Sequence, residues 1–249
     1  MKKILIGSTG LVGKNLSDQM NFDAMANSSN ISSYEGKYFD LAVVAAGDAR
    51  KWFASSSPDI FSLSMQKLYK DISKIRINKI VLISTIDVLP DEEGDEDTEI
   101  NPKKIKSSYG RFKYDFEELI KKNWDTQIIR LPGLFGRHLK KNILFDFLNK
   151  KTISPHNPSS DYQWLNLDNI SEIVNFVLEN GCKNFHPCSE PISVKELSVI
   201  LGTDYFLDPD CPKFSYNMTS KYANIFKDNN SYCYNYENII NDLKIFSKK

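Results

Sequence analysis

The chain lacks most of what marks a membrane, secreted or metal-stapled protein. In its 249 residues no apolar run approaches the roughly 20 residues needed to cross a bilayer. Met1-Lys2-Lys3 followed by Ile4-Leu5-Ile6 has the beginnings of a secretory leader, but the apolar run stops at Gly7 and Lys14 interrupts the next stretch. The expected compartment is the cytoplasm, with no membrane partner. Net charge is also missing: 32 Lys and Arg balance 32 Asp and Glu, so nucleic acid is not an expected partner either. Cysteine is scarce. Cys182, Cys188, Cys211 and Cys233 come late and lack the paired CxxC spacing of a zinc site. Cys182, His186 and Cys188 fall short of the four ligands that structural zinc takes, so reduced, mostly buried thiols are expected and no metal. The acidic stretch 91–99 reads as a solvated loop. Neither an internal repeat nor a low-complexity linker is present.

What the chain does have is alternation. Short apolar runs at 3–6, 22–26, 40–46, 79–84 and 127–131 read as strands. Amphipathic segments at 10–20, 58–75, 108–122, 168–180, 194–201 and 236–246 read as helices. In 58–75 the apolar positions are Ile60, Leu63, Met65, Leu68 and Ile72. Strands alternating with helices predict an α/β fold, a doubly wound parallel sheet covered on both faces.

The turn after the first strand carries Gly7, Gly10 and Gly13 in KILIGSTGLVG. In a strand–turn–helix such spacing has a mechanical reason. The first glycine permits the tight turn, the second lets a pyrophosphate approach the backbone, and the third lets helix and strand pack closely. The helix N-terminus offers unbonded N–H groups and partial positive charge to the phosphates. A dinucleotide cofactor is therefore expected on a Rossmann-type fold. An acid that binds the ribose 2′-OH is usual about 20 residues further on. Here Asn27-Ser28-Ser29-Asn30 stands there without a carboxylate, which favours NADP, with NAD as the alternative. A single domain over 1–249 is expected, its cofactor-binding part about 1–150 and a small C-terminal substrate-binding lobe drawn mainly from 137–249.

A second constellation comes about a hundred residues later. Tyr109 and Lys113 in SSYGRFK share a helix face at i and i+4. A free phenol has a pKa of about 10 and is a poor base at neutral pH. A neighbouring ammonium favours the phenolate and should lower that value. Tyr109 can then serve as general acid in reduction or general base in oxidation. The preceding strand ends at Ser84-Thr85, where a hydroxyl can hold a substrate oxygen.

Together GSTGLVG, Ala45-Ala46-Gly47, ISTIDV at 83–88, YGRFK and RLPGLFG at 130–136 resemble the extended short-chain dehydrogenase/reductase family, over about residues 1–201. The stretch after the second strand is most similar to its 4-dehydrorhamnose reductase-like branch. The resemblance implies a triad of Thr85, Tyr109 and Lys113, with Lys113 also bonding the nicotinamide ribose. It implies a cofactor lying against Gly7, Ser8, Thr9, Gly10, Leu11, Val12, Gly13, Asn27, Ser28, Ser29, Ala45, Ala46, Gly47, Tyr109, Lys113, Leu131 and Pro132. It also implies a homodimer formed through the YxxxK helix, for which Phe112, Phe116 and Leu119 could supply an apolar face; burial in the monomer core explains them equally well. In the family's 4,6-dehydratases Thr-Asp-Glu occupies the place of Thr85-Ile86-Asp87. The central acid is missing here, so elimination is not expected. Asp87 replaces the final acid, which abstracts a proton beside a ketone; the alternative is a loop carboxylate capping a backbone N–H.

On the substrate side, Arg50, Lys51, Arg137, His138, Lys140 and Lys141 are candidates for an anionic ligand, since guanidinium in particular bonds two phosphate oxygens at once. Thr85, Asp87 and Gln163 complete the expected substrate set, and Trp164 reads equally well as pocket or core. The expected function is NAD(P)-dependent reduction or oxidation of a sugar keto or hydroxyl group, the sugar being activated as a nucleotide sugar. The alternatives are an epimerase that retains its cofactor and a cofactor-sensing regulator without catalysis.

Overall fold

The computed structural model describes residues 1–148, 155–202, 207–227 and 229–248. The chain divides into two compact units. Met1–Asp91, Glu99–Arg130 and Ile170–Phe185 form the first; Glu92–Thr98, Leu131–Asn169 and His186–Lys249 form the second.

The first unit is built on a six-stranded sheet. Its strands are β1 (Lys3–Ile6), β2 (Ala24–Ala26), β3 (Tyr38–Val44), β4 (Arg76–Thr85), β5 (Asp125–Leu131) and β6 (Asn184–Phe185), in spatial order β6-β5-β4-β3-β1-β2. The β1–β2, β1–β3, β3–β4 and β5–β6 pairs are parallel. This is a doubly wound, Rossmann-type sheet. Strands buried on both sides read as continuous apolar runs, and Leu41–Val44 and Ile80–Leu82 are at most 2% exposed. Alternate residues feed opposite faces: Ile4, Ile6, Ala42, Val44, Ile80 and Leu82 join one cluster with Phe61, Met65, Tyr109 and Phe116.

Helix α1 (Leu11–Gln19) packs against α5 (Ile170–Asn180), while α2 (Lys51–Ser56) and α3 (Pro58–Ser73) pack against α4 (Ser108–Asn123). Ser107 caps α4 by accepting the Gly110 N–H at 2.9 Å, as its sequence position suggested. Helix α2 was not legible in the sequence. In α3 the buried stripe is Phe61, Met65 and Ile72, whereas Ile60 and Leu63 face solvent. Phe61 explains this rotation: its ring stacks on Phe112 of α4 with centroids 5.3 Å apart, and this contact sets which side of α3 turns inward. Phe112 and Phe116 thereby pack into the core of this unit.

The second unit holds short pairings: Gly133–Phe135 with Trp164–Asn166, Asp161–Tyr162 with Ile192–Ser193, and Glu93–Gly94 with Asn217–Met218. The last pair corrects the reading of 91–99 as a solvated loop. Glu96 is buried and accepts hydrogen bonds from the His186 N–H, the Ser220 hydroxyl and the Lys221 N–H at 2.6–2.9 Å. A carboxylate can enter a core when donors satisfy it, and these donors lie about a hundred residues away in sequence. Helix Val194–Leu201 starts in a capping box, Ser193 with Glu196, and ends at Gly202 in the left-handed region.

Candidate active site

The order β2-β1-β3 means that the chain leaves β1 in one direction and returns to β3 on the other side. The carboxyl ends of β1 and β3 are therefore a topological switch point, the place where open α/β sheets bind ligands. Gly7 follows β1 with φ +96°, and a Cβ there would stand 2.4 Å from the carbonyl oxygen of Ala45. A Cβ on Gly13 would stand 2.0 Å from the Gly7 carbonyl oxygen. Both positions exclude any side chain. Gly10 differs: a Cβ there meets nothing closer than 3.4 Å, and no side chain caps the helix it begins. The first N–H groups of α1 are thus left for something other than a cap. These residues fit the pyrophosphate of a dinucleotide. Ser8 bonds the Ala26 carbonyl through its hydroxyl at 3.2 Å. Asn27 accepts from the Ser29 N–H and hydroxyl at 2.9 and 2.6 Å, leaving Ser28 and Ser29 exposed at the end of β2.

On α4, Tyr109 and Lys113 are both 7% exposed. The Lys113 ammonium lies 5.6 Å from the Tyr109 ring centroid and beside Gly47, 3.0 Å from where a Cβ on that glycine would be. Lys51 on α2 approaches the same ring at 6.0 Å and pairs with Asp87, its Nζ 2.7 Å from Oδ2. Thr85 donates its hydroxyl to Asp87 Oδ2 at 3.0 Å and accepts the Asp87 N–H at 3.2 Å. A Cβ on Gly110 would stand 2.0 Å from the Asp87 carbonyl oxygen, so this glycine lets α4 press onto the turn that carries Asp87. Thr85, Asp87, Lys51 and Tyr109 are thus brought together. The Asp87 carboxylate accepts from the Thr85 hydroxyl and from the Lys51 ammonium. The strand's alternation turns Ser84 the other way, onto the buried Glu117 at 2.5 Å.

The phenol departs from the sequence expectation. Burial, followed by the charges of Asp87 and Asp48, pushes the Tyr109 pKa well above its ordinary value. Proximity to Lys113 does not prevail, because desolvation of the phenolate is the larger effect. Lys113 itself is pushed down to about 8 by burial, against the charges of Asp48 and Glu117, which favour the ammonium. A lysine displaced downward contributes stability above its unfolded pKa and loses it as pH falls through the folded one. Holding the ammonium at pH 7 therefore costs the fold about 3 kcal/mol, from the size of the displacement. Lys113→Met is expected to raise stability by about 1–3 kcal/mol at pH 7, an advantage that shrinks as pH rises from 8 toward 10. Urea midpoints at pH 7 and pH 9.5 check both the sign and its decline.

Of the expected substrate residues, Arg50 is held by Asp48, Nη2 to Oδ2 at 2.5 Å, with its guanidinium over the Phe53 ring at 4.3 Å. Gln163 is corrected. It is 1% exposed, its amide donates to the Ser189 and Met218 carbonyls, and its oxygen accepts the Met218 N–H. Both amide hydrogens are spent on backbone, so it fastens three segments of the second unit rather than meeting a ligand. Trp164 is 2% exposed and core. Arg137 and His138 are exposed in the second unit and border a hollow of about 420 Å³ with Asn166, Asp168 and Asp242. Sequence reading missed Asp48, Glu117 and Arg130. Glu117 stands four residues after Lys113, a spacing that could have marked it.

No protein-family model and no curated protein sequence matches the chain. Solved structures do. A dTDP-4-dehydrorhamnose reductase from Bacillus anthracis in complex with NADP superposes with a TM-score of 0.73 at 14% identity, over 99% of this chain and 98% of that one. The chain shares the fold of that enzyme. The same fold is seen in a double mutant of the dTDP-glucose 4,6-dehydratase DesIV from Streptomyces venezuelae with NAD bound, with TM-score 0.76, 13% identity, and coverage of 100% and 97%. It recurs in a UDP-N-acetylglucosamine 4-epimerase from Bacillus cereus, with TM-score 0.67, 17% identity, and 100% of both chains. In this fold the glycine turn and the Tyr109 helix belong to the first unit, and that unit holds the candidate site.

Proposed function

We propose that the protein is an NAD(P)-dependent oxidoreductase that reduces a keto group on a sugar carried as a nucleotide sugar. The observation that carries this reading is the buried Tyr109–Lys113 pair on one helix face, with Lys51, Asp87 and Thr85 linked to the same ring. A phenol that stays protonated at neutral pH can supply the proton that a carbonyl needs at its oxygen as it receives hydride, and the neighbouring ammonium eases that release. Structural neighbours that act on dTDP- and UDP-sugars support the substrate class.

The cofactor would lie along Gly7–Gly13, with the first turn of α1 bonding its pyrophosphate and Ala45–Gly47 beside it. When bound, it supplies or accepts hydride. The chain's own residues do the rest. Thr85 would turn its hydroxyl from Asp87 to hold the substrate oxygen, Tyr109 delivers a proton to that oxygen from Oη, and the Lys113 ammonium keeps the developing phenolate from retaking that proton too early. Burial of both side chains excludes water. The loop from Asn27 to Asn30 lacks a carboxylate that would repel a 2′-phosphate, which supports NADP over NAD.

A second reading, an epimerase that keeps its cofactor, draws on Asp87, a carboxylate two residues from Thr85 and bonded to its hydroxyl. Screening keto-sugar nucleotides while following NADPH absorbance decides between them. A reductase consumes NADPH in step with product, whereas an epimerase converts substrate with no net loss. Failure of every keto sugar to draw down NADPH, with the protein folded, would reject the reductase. A tenfold preference for NADH in kcat/KM would reject the NADP assignment.

A further inference from the structure

Glu117 is the most deeply enclosed acid of the first unit, at 0% exposure. Its Oε1 accepts from Ser84 Oγ at 2.5 Å and from Arg130 Nε at 3.2 Å, and its Oε2 accepts from Arg130 Nη2 at 2.7 Å. Arg130 is as buried as its partner, its side chain 3% exposed. Three hydrogen bonds lock the carboxylate on a strand–helix junction where an apolar contact would hold the fold as well, since buried ion pairs contribute little net stability. Its placement supplies a reason for keeping it. Glu117 follows Lys113 by one helical turn and shares its face. Asp48, gripped by Arg50, also acts electrostatically on the Lys113 ammonium. The lysine that borders Tyr109 and Gly47 therefore feels two carboxylates, each anchored by its own arginine.

We infer that Glu117, fixed by Arg130 and Ser84, is a positioning residue that keeps Lys113 an ammonium beside Tyr109. The inference deepens the oxidoreductase reading and rests on it for its catalytic meaning. Burial pushes the Lys113 pKa down; Asp48 and Glu117 oppose that. The charged groups around the pair are Asp48 with Arg50 from the loop between β3 and α2, Asp87 with Lys51 around Tyr109, and Glu117 with Arg130 from α4 and β5. Because the arginines cancel part of each carboxylate, the support is partial, and the lysine is left poised rather than permanently charged.

The test needs no substrate. In ligand-free protein labelled at lysine Cε with carbon-13, the Lys113 resonance is identified by its loss in Lys113→Met, and it should titrate with a midpoint of about 8. In Glu117→Gln the midpoint should fall by about one pH unit or more, because Arg130 stays while the carboxylate goes. If that variant does not fold, the double variant Glu117→Met with Arg130→Met removes the pair as apolar residues, and its midpoint should fall by less. A fall in whichever variant folds is the mark of charge, and a merely structural role would leave the midpoint in place. An unmoved midpoint in the folded variant would overturn the inference. NADPH fluorescence titration of the wild type is run alongside. Absence of binding there would reject the oxidoreductase reading, while the lysine midpoints still decide whether Glu117 governs Lys113. For a substrate found by the screen, the kcat/KM profile of Glu117→Gln should lose its alkaline limb at a lower pH than wild type.

Discussion

Tyr109→Phe is expected to lower turnover about a hundred- to ten-thousand-fold, the range that a positioned acid–base group contributes. The substitution removes one oxygen and keeps the ring, so the edge-on contact with Phe61, centroids 6.1 Å apart, persists. Stability should change little, since the lost hydroxyl belongs to the reaction. Its hydrogen is the one that must reach the substrate oxygen; burial first, then the charges of Asp87 and Asp48, keep the phenol protonated until then. Steady-state NADPH consumption with a substrate that the wild type reduces, paired with thermal unfolding, separates loss of chemistry from loss of fold. Unchanged turnover would end the assignment of Thr85, Tyr109 and Lys113 as a catalytic set.

Arg130→Met should damage the fold severely, costing about 3–5 kcal/mol. The cause is what it leaves behind. Glu117 would remain at 0% exposure with only the Ser84 hydroxyl among the three hydrogen bonds that now hold it. A buried carboxylate stripped of its counter-ion must either stay charged without compensation or take up a proton. Replacing both residues with methionine should recover most of the loss, because the paired apolar side chains need no partner. Urea midpoints of the single and double variants measure the difference. A loss below about 1 kcal/mol in the single variant would mean that water reaches Glu117 and that the pair is not buried in solution.

The two expectations differ in how they could be seen. Tyr109 and Lys113 were legible because i and i+4 on a helix is a local relation, and Ser107 is a local cap. The glycine turn was legible for the same reason: strand, turn and helix succeed one another within eleven residues, and only glycine tolerates the close approach at Gly7 and Gly13. Periodicity also located β3, β4, β5 and α3 to within a few residues. It misjudged the buried side of α3, because Ile60 and Leu63 are as apolar as Phe61 and nothing local says which of them meets α4. Helix α2 was missed because it has only six residues, too few for a period to register.

The site's electrostatics lay further out of reach. Lys51 finds Asp87 across 36 positions, and Glu96 finds His186 across 90. Such pairs come from packing, and a charged residue reads as solvated until its partner is known. The same holds for the phenol of Tyr109, whose raised proton affinity depends on how deeply α4 is buried.

By itself the sequence determined the strand–helix alternation, the glycine turn, the Tyr109–Lys113 face and the absence of an acid at Asn27, because each is set by residues close together in the chain. The tertiary structure alone decided that Asp87 answers to Thr85 and Lys51, that Gln163 is a fastener, and that Glu117 sits behind Lys113 under Arg130. Those outcomes depend on which groups lose water together when the sheet and its helices close, and desolvation is a property of the packed molecule.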